Sequence, residues 1–379
     1  MQAKIPAVLM RGGTSKGLFF HHEHLPAAPE LRDKVILAAY GSPDPYRRQM
    51  NGVGGATSVS SKTAIIRPSA DPAYDVEYLF GQVAIDRPAV EYNGNCGNMS
   101  AAVGPFAVDE GLVPCREPVT RVRIYQRNTG KRIIAEVPVN AGGFDEAGDY
   151  AISGVPGTGS KITLRFADPG GSMTGQLLPT GNLQDTLNVP ALGAIRVSIV
   201  DAANPVVFVP AAAIGLAGAE IDEFDSPAVR AAVDAIRCHA AVAMGLAASP
   251  EEACRIQAVP KIAVVSPPAS YRATDGRLVD AAAIDVTARI MSMGALHRSY
   301  AVTGGICTAG AALLAGTVVH AVLRPEAAGK PMLTIGHPGG TIDIGAVVEG
   351  TGTAAVYREA VVGRTARRLM QGFVLVPKT

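Results

Sequence analysis

A cysteine set among asparagines and glycines, Gly94-Asn95-Cys96-Gly97-Asn98-Met99-Ser100, is the side chain best placed to do chemistry in this sequence. It stands where a β-rich, loop-punctuated run gives way to small helix formers, so it reads as a thiol at a strand-to-helix turn. The first amides of such a helix lack internal acceptors, and the helix dipole is positive at that end. Both features favour a thiolate or a bound carboxylate. A buried structural cysteine is the plainer reading, because a free thiol also behaves as a small hydrophobe. Lys62 follows Ser61 at the mouth of an apolar strand, either as a snorkelling surface lysine or as a desolvated base. The loop Arg11-Gly12-Gly13-Thr14-Ser15-Lys16-Gly17 offers cations, hydroxyls and free amides, which suit a carboxylate. It lacks the spacing of a phosphate loop and the helix that must follow one. A solvated hairpin turn is its alternative.

The elements that would position these groups can be read in order. Residues 5–10 and 18–20 form strands around the glycine loop. Residues 31–40 form a short helix stopped by Gly41 and Pro43. Residues 78–85 form the strand before the Cys96 turn, and 122–125 with 133–139 bracket a hairpin at Asn128-Thr129-Gly130-Lys131. From about Gly181 the grammar restarts. Strand 194–200, the polar loop Asp201-Ala202-Ala203-Asn204-Pro205 and strand 206–209 repeat the opening of the chain. Residues 227–245 form an amphipathic helix with Ser226 as N-cap, Pro227 at its first position, and Cys238 and His239 as packing residues.

Lys261 then opens an apolar strand closed by proline, as Lys62 does. Thr303-Gly304-Gly305-Ile306-Cys307-Thr308-Ala309-Gly310 answers the Cys96 turn, and His337-Pro338-Gly339-Gly340-Thr341 lies in a hairpin echoing the earlier one. This is one fold drawn twice, with too few copies for a solenoid. Two such halves about a pseudo-two-fold axis would bring their glycine-rich turns to one interdomain cleft, a favoured kind of ligand site.

A chain of 379 residues suggests about two domains. With 42 Gly, 27 Pro and no Trp it favours short elements and many turns over a long-helix bundle. A net charge of +1 gives no basic field for nucleic acid. No run approaches the ~20 apolar residues that span a bilayer. Five cysteines without paired spacing lead to an expectation of reduced thiols in a cytoplasmic protein. The histidines cluster only at His21, His22 and His24, in what reads as an exposed loop, so no metal site is expected.

Taken together, MRGGTSKG, GSPDP, NGVGGATSVSSK, the 75–83 segment DVEYLFGQV, NGNCGNMSAAVGPFAV, PTGN and GHPGGT resemble the 2-methylaconitate cis-trans isomerase family. Relatives of that family include methylitaconate and aconitate Δ-isomerases and 4-oxalomesaconate tautomerases. The likeness is dense over residues 5–115 and recurs in patches to about residue 346. It implies an α+β protein of two pseudo-symmetric diaminopimelate epimerase-like domains, each a curled, mostly antiparallel sheet around a central helix. Those domains would span 1–185, joined by a C-terminal strand 370–379, and 186–369.

The resemblance further implies a cofactor-free isomerase of unsaturated tricarboxylates, a homodimer by analogy, with Lys62 and Cys96 as its catalytic pair. Substrate carboxylates would be held by Arg11, Thr14, Ser15 and Lys16, by Ser61, by Asn95, Gly97 and Asn98, and by His337, Gly339, Gly340 and Thr341. Asn204, Lys261 and Cys307 join them from the second copy. The epimerases of this fold use two cysteines, whereas many isomerase relatives carry a small apolar residue where this chain has Cys307. That thiol is therefore either a passive side chain or a second proton carrier.

The chemistry these groups support is proton transfer at an allylic carbon. Such a proton is weakly acidic, so its removal needs a close base and a positive pocket for the charge spreading into a carboxylate. Lys62 would take the proton, its pKa brought down from about 10.4 by desolvation or by Arg11 or Lys16 as a nearby cation so that free amine is present, and Cys96 would return one. Return to the same carbon after rotation gives cis-trans isomerisation; return to the far carbon moves the double bond. The sequence also leaves open a Cys96/Cys307 amino-acid epimerase and a non-catalytic carboxylate-binding protein.

Overall fold

The computed structural model describes residues 2–377, which divide into two compact units, 2–165 with 363–377, and 166–362. The first change of unit falls ahead of the expected 185/186, and backbone pairing gives the reason. Gly170 bridges Ala202, Asp168 N donates to Arg358 O and Asp201 N to Leu177 O, so the stretch after residue 165 is already bound into the second unit.

In the first unit β1 (Gln2–Gly12) and β2 (Ser15–His21) form a hairpin, and α1 (Pro29–Tyr40) follows. Next come β3 (Lys62–Pro68), β4 (Val76–Val83), β5 (Val90–Glu91), α2 (Gly97–Asp109), β6 (Val119–Gln126) and β7 (Lys131–Asn140). The C-terminal strand, Ala366–Pro377, pairs antiparallel with β1. Pairing is antiparallel except where β2 meets β3 and β4 meets β6.

The expected seven-residue polar loop shrinks to a tight turn, with Gly12 opposite Ser15 and Arg11 opposite Lys16. Glycine reads as loop in sequence, but Gly12 is a strand residue whose bareness lets α2 approach. A methyl group there would press on Asn98 O and Ala102.

From Gly97 to Val108 helix α2 is apolar apart from Asn98 and Ser100 near its head, and every one of those residues is buried, as a helix enclosed by sheet must be. Gly104 packs on Val122, Ala135 and Val137, and Phe106 on Phe19 at a centroid distance of 5.8 Å. Alternation along each strand sends one set of side chains to α2 and the other outward. The outward set, including Leu18, Phe20 and Ile65, packs on Val35, Ile36, Ala39 and Tyr40 of α1. Helix α1 ends at Gly41, whose φ of 70° is the left-handed C-cap geometry that glycine adopts freely.

The second unit repeats this plan. Its β8 (Gly193–Ala202) and β9 (Asn204–Pro210) form the hairpin, and α3 (Pro227–Ala243) with α4 (Pro250–Arg255) stands where α1 stood. Then follow β10 (Lys261–Ser266), β11 (Val286–Ser292), α5 (Val302–Leu313), β12 (Met332–His337) and β13 (Gly340–Glu349). Pairings recur in kind: antiparallel β8–β9, parallel β9–β10, antiparallel β10–β11, parallel β11–β12 and antiparallel β12–β13. Ser226 caps α3 by accepting from Val229 N. Both units are helices enclosed by curled, mostly antiparallel sheet, an α+β architecture.

One expectation about the cysteines fails. Cys238 of α3 and Cys254 of α4 form a disulfide, their Cα atoms 5.7 Å apart, while Cys96, Cys115 and Cys307 are free. The bond arises because α4 folds back on α3, a packing that the 16-residue separation does not announce. The thiols therefore carry no argument about compartment. Among the described residues no helix is long and apolar enough to cross a membrane.

Candidate active site

The register of the first sheet determines what shares the face toward α2. Gly17 pairs with Lys62 across β2 and β3, and Lys62 with Gln82 across β3 and β4. Ser15, Gly17, Lys62, Gln82, Phe80 and Tyr78 therefore line one inner face, and α2 lies against it. Lys16, between Ser15 and Gly17, points the other way and is exposed. It is not the cation beside Lys62 that the sequence reading offered. Arg11 is not free for that service either: its Nη1 donates to Gly13 O, Thr365 O and Thr365 Oγ1, each at 3.0 Å. Burial, and then Arg367, lower its basicity.

Lys62 is buried at 7% exposure, too little for a snorkelling surface lysine. Its Nζ donates to Gln82 Oε1 at 2.7 Å and lies 5.1 Å from the centre of the Phe80 ring. On the backbone side the Tyr40 hydroxyl accepts from Leu18 N at 2.7 Å and donates to Lys62 O, so a phenol from α1 is wedged between β2 and β3. Gly17 makes room for it, since a side chain there would overlap the Lys62 carbonyl. Ser61 Oγ, also buried, accepts from Gln49 Nε2 at 2.8 Å, and Gln49 in turn receives Ala56 N and bonds Ser42. Ser61 is thus part of the scaffold that orders the loop ahead of Lys62.

Cys96 is the N-cap of α2, with extended backbone and no side-chain capping bond. Its carbonyl accepts from Ser100 N at 2.9 Å and Ser100 Oγ at 3.1 Å. Asn98 Oδ1 accepts from Thr14 N at 3.3 Å, which ties the β1–β2 turn to the head of the helix. Asn95, Cys96, Gly97 and Asn98 are all buried around that head. Ser15 is only 2% exposed, and its Oγ has no hydrogen-bond partner. A buried hydroxyl without a partner is costly unless something else uses it.

Two inner-face residues escaped the sequence reading. Gln82 belongs to the 75–83 segment, where sequence marks it only as a polar residue in an apolar strand. The Tyr78 hydroxyl is fully buried; burial first, and then Cys96, push it well above the usual phenol range, against an opposing effect of the Ser100 hydroxyl. The Ser100 hydroxyl itself donates to Cys96 O and to Asn95 Oδ1 at 3.4 Å.

The second unit builds a similar helix head with different groups. Counting back two residues from the partner of each strand-opening lysine gives Ser15 in one hairpin and Asn204 in the other. Asn204 Nδ2 donates to Thr303 Oγ1 at 3.3 Å, as the first turn meets Asn98. Thr303 is the second residue of α5, Asn98 the second of α2, so the position equivalent to Cys96 is Ala301, the N-cap of α5.

Cys307 is a turn and a half further in, fully buried, its thiol donating to Val200 O at 3.2 Å and held well above its ordinary range by burial. The match of Cys307 to the Cys96 turn is therefore corrected. Gly304, Gly305 and Gly310, which read as a turn, are helical residues packed on Ile290, Ile344 and Tyr357. Lys261 opens β10, but its Nζ donates to Ala258 O at 3.1 Å.

The His337–Thr341 stretch is the tight β12–β13 turn, His337 opposite Gly340. Gly339 N donates to His337 Nδ1 at 3.1 Å, and the ring stacks 6.1 Å from Tyr300, next to the α5 N-cap. Tyr271 donates to His337 O and Gly340 O, and the buried Arg289 guanidinium lies 4.4 Å over the Tyr271 ring.

Elsewhere, Asp234 approaches Cys238 and Cys254, but the sulfurs are bonded to each other and Arg237 donates to both Asp234 and Cys238. That set offers no open cation site. His21 is bonded to Glu110 at 2.8 Å.

Doubled sheets around paired central helices define the diaminopimelate epimerase-like class, and solved structures agree. A probable proline racemase of Agrobacterium radiobacter and a hydroxyproline epimerase of Agrobacterium vitis, each 13% identical, superpose with TM-scores of 0.57 and 0.58. A methylitaconate-delta-isomerase crystal structure superposes with TM-score 0.81 at 44% identity, covering 99% of this chain and 96% of that one.

The model of the PrpF protein family matches residues 2–377. Relatives covering 98% or more of this chain, and 97% or more of their own length, include the 3-methylitaconate isomerase of Eubacterium barkeri at 45% identity and the 2-methyl-aconitate isomerase of Shewanella oneidensis at 42%. The 4-oxalomesaconate tautomerase of Pseudomonas putida is 38% identical over 99% of this chain and 97% of its own. The chain belongs to the PrpF family and is an isomerase.

Proposed function

We propose that this isomerase acts on an unsaturated tricarboxylate by allylic proton transfer, with 2-methylaconitate cis-trans isomerisation as the first reading. The observation that carries it is the shared inner face. The inner face of the first sheet carries a buried amine at Lys62 and an unpartnered Ser15 hydroxyl toward α2, the helix whose N-cap is Cys96.

In this scheme the Lys62 amine removes a proton from the carbon next to the double bond. The electron pair spreads through that bond into a carboxylate held by the Ser15 hydroxyl and the first amides of α2, which have no intrahelical acceptors. The former double bond then has single-bond character and rotates, and a proton returns to carbon. Cys96 supplies it when it is delivered from the other side. Return at the far allylic carbon would instead be double-bond migration, as the names of the methylitaconate relatives indicate for those proteins. No cofactor enters the scheme. The location of Cys307 inside α5 supports this account over a thiol-pair epimerase.

The test is proton NMR in deuterated water with methylaconitate, aconitate, methylitaconate and oxalomesaconate. Deuterium should enter an allylic position of the true substrate as it isomerises. Lys62→Ala and Cys96→Ala should each lower turnover by about 10²- to 10⁴-fold. Near-normal turnover in both, or isomerisation without exchange in any acid, would sink the scheme.

A further inference from the structure

Gln82 faces Lys62 directly across β3 and β4, and both side chains are more than nine-tenths buried. Its amide is held from two sides. Nε2 donates to Ser61 O at 2.9 Å and to Ser58 O at 3.2 Å, so both of its hydrogens are committed to backbone carbonyls. With the nitrogen fixed, the oxygen has one orientation, toward Lys62 Nζ at 2.7 Å. The Phe80 ring, two residues earlier on the same strand face, covers a second side of the amine.

We infer that Gln82 is a positioning residue for the reaction: it holds the Lys62 amine through a neutral acceptor, and so presents it to substrate without giving it a counter-ion. The inference rests on the reading of Lys62 as the base.

A carboxylate in the same place would also orient the amine, but it would favour the ammonium and take the base away. The surrounding charges agree with the choice of a neutral partner. Elements packed against β3 carry Lys16 on β2, Tyr40 on α1, Glu77 on β4 and Cys96 ahead of α2. Glu91 lies on β5, in register with Gln82. Glu77 is paired with Arg67 and Glu91 with Arg87. Lys16 points to the opposite face. Thus Gln82 is the group bonded to the amine, and it carries no charge. In the second copy Lys261 Nζ bonds a backbone carbonyl ahead of its own strand.

The experiment compares Gln82→Glu, Gln82→Leu and Lys62→Ala in the full chain, using the acid that the wild type turns over. Thermal melts accompany the assays as a check on folding. Gln82→Glu should move the alkaline rise of kcat upward by about one pH unit or more. Gln82→Leu, which removes the acceptor, should lower kcat about 10- to 100-fold with a smaller change in KM. A merely structural role would depress both variants alike and leave the pH profile where it was. If Lys62→Ala keeps its turnover, the reading of the site itself falls. If Lys62→Ala is dead but Gln82→Glu has the wild-type pH profile, the site stands and the role given to Gln82 is wrong.

Discussion

Tyr40→Phe tests how the strand carrying Lys62 is held. The hydroxyl sits between Leu18 N and Lys62 O, in a place where neighbouring parallel strands would otherwise bond directly, and it is fully buried. Burial drives its ionisation far above neutral pH, so it remains both donor and acceptor throughout the working range. Removing one oxygen orphans a buried N–H and a buried C=O, each worth about 1–3 kcal/mol when left unmade. Partial closure of β2 on β3 would recover some of this, leaving a net loss of about 2–4 kcal/mol.

For a unit of this size that corresponds to a fall in melting temperature of roughly 5–15 °C. Hydrogen exchange read by mass spectrometry should show faster exchange over 15–20 and 60–66, with little change in the second unit. Tyr46→Phe, at a residue 82% exposed, serves as the control and should do nothing. A Tyr40→Phe protein that melts within about 1 °C of wild type would show that the wedge does not support the sheet, and the argument for its role would be lost.

The unpartnered Ser15 hydroxyl predicts a split: Ser15→Ala should raise KM about tenfold while leaving the melting temperature equal or higher, because a buried unpaired hydroxyl is relieved. An unchanged KM would remove Ser15 from the site. Cys307→Ala should leave turnover within about threefold of wild type, since a thiol buried in mid-helix and held protonated neither gives nor takes the substrate proton; a loss on the scale of Cys96→Ala would revive the thiol pair. Glu110 is partly desolvated, which raises its carboxyl, yet the bonds from Arg368 and His21 outweigh that and hold it below the usual value. A depressed carboxyl contributes stability above its unfolded value, about 4.3, and that contribution disappears as pH falls through the folded value. Melts of wild type and Glu110→Gln should therefore differ at pH 7 and converge in acid; parallel curves would refute the pairing.

Much of the candidate site was legible because it follows local rules. Cys96 sits where small helix formers succeed a glycine-asparagine turn, and a helix indeed begins at Gly97. The repeated motif of a lysine opening an apolar strand survives as matching parallel pairs in both sheets. What was illegible depended on approach from outside the local chain. Gly12, Gly17, Gly304 and Gly310 look like turn residues but lie in strands or in a helix, bare because another backbone or side chain comes close. Lys16 was grouped with Ser15 by adjacency, although alternation separates them onto opposite faces. Gln82 and Tyr40 acquire meaning only once register places them against Lys62.

The divergence of the two copies bears on the proposed location of the chemistry. Each helix head keeps what recognises an anion: first-turn amides, a positive dipole and a polar side chain from the hairpin, Ser15 in one and Asn204 in the other. The groups proposed to carry the protons are unequal. The first has Cys96 as N-cap and a lysine bonded to Gln82; the second has Ala301 as N-cap and a lysine bonded to Ala258 O. If a thiol at a helix head were enough, either copy could serve. If the thiol must act together with a base held on its own sheet, only the first can. Ala301→Cys introduced into a Cys96→Ala protein separates the two cases. It should remain as inactive as Cys96→Ala alone, and turnover regained by the double variant would show that the pairing with Lys62 is not what makes the first head catalytic.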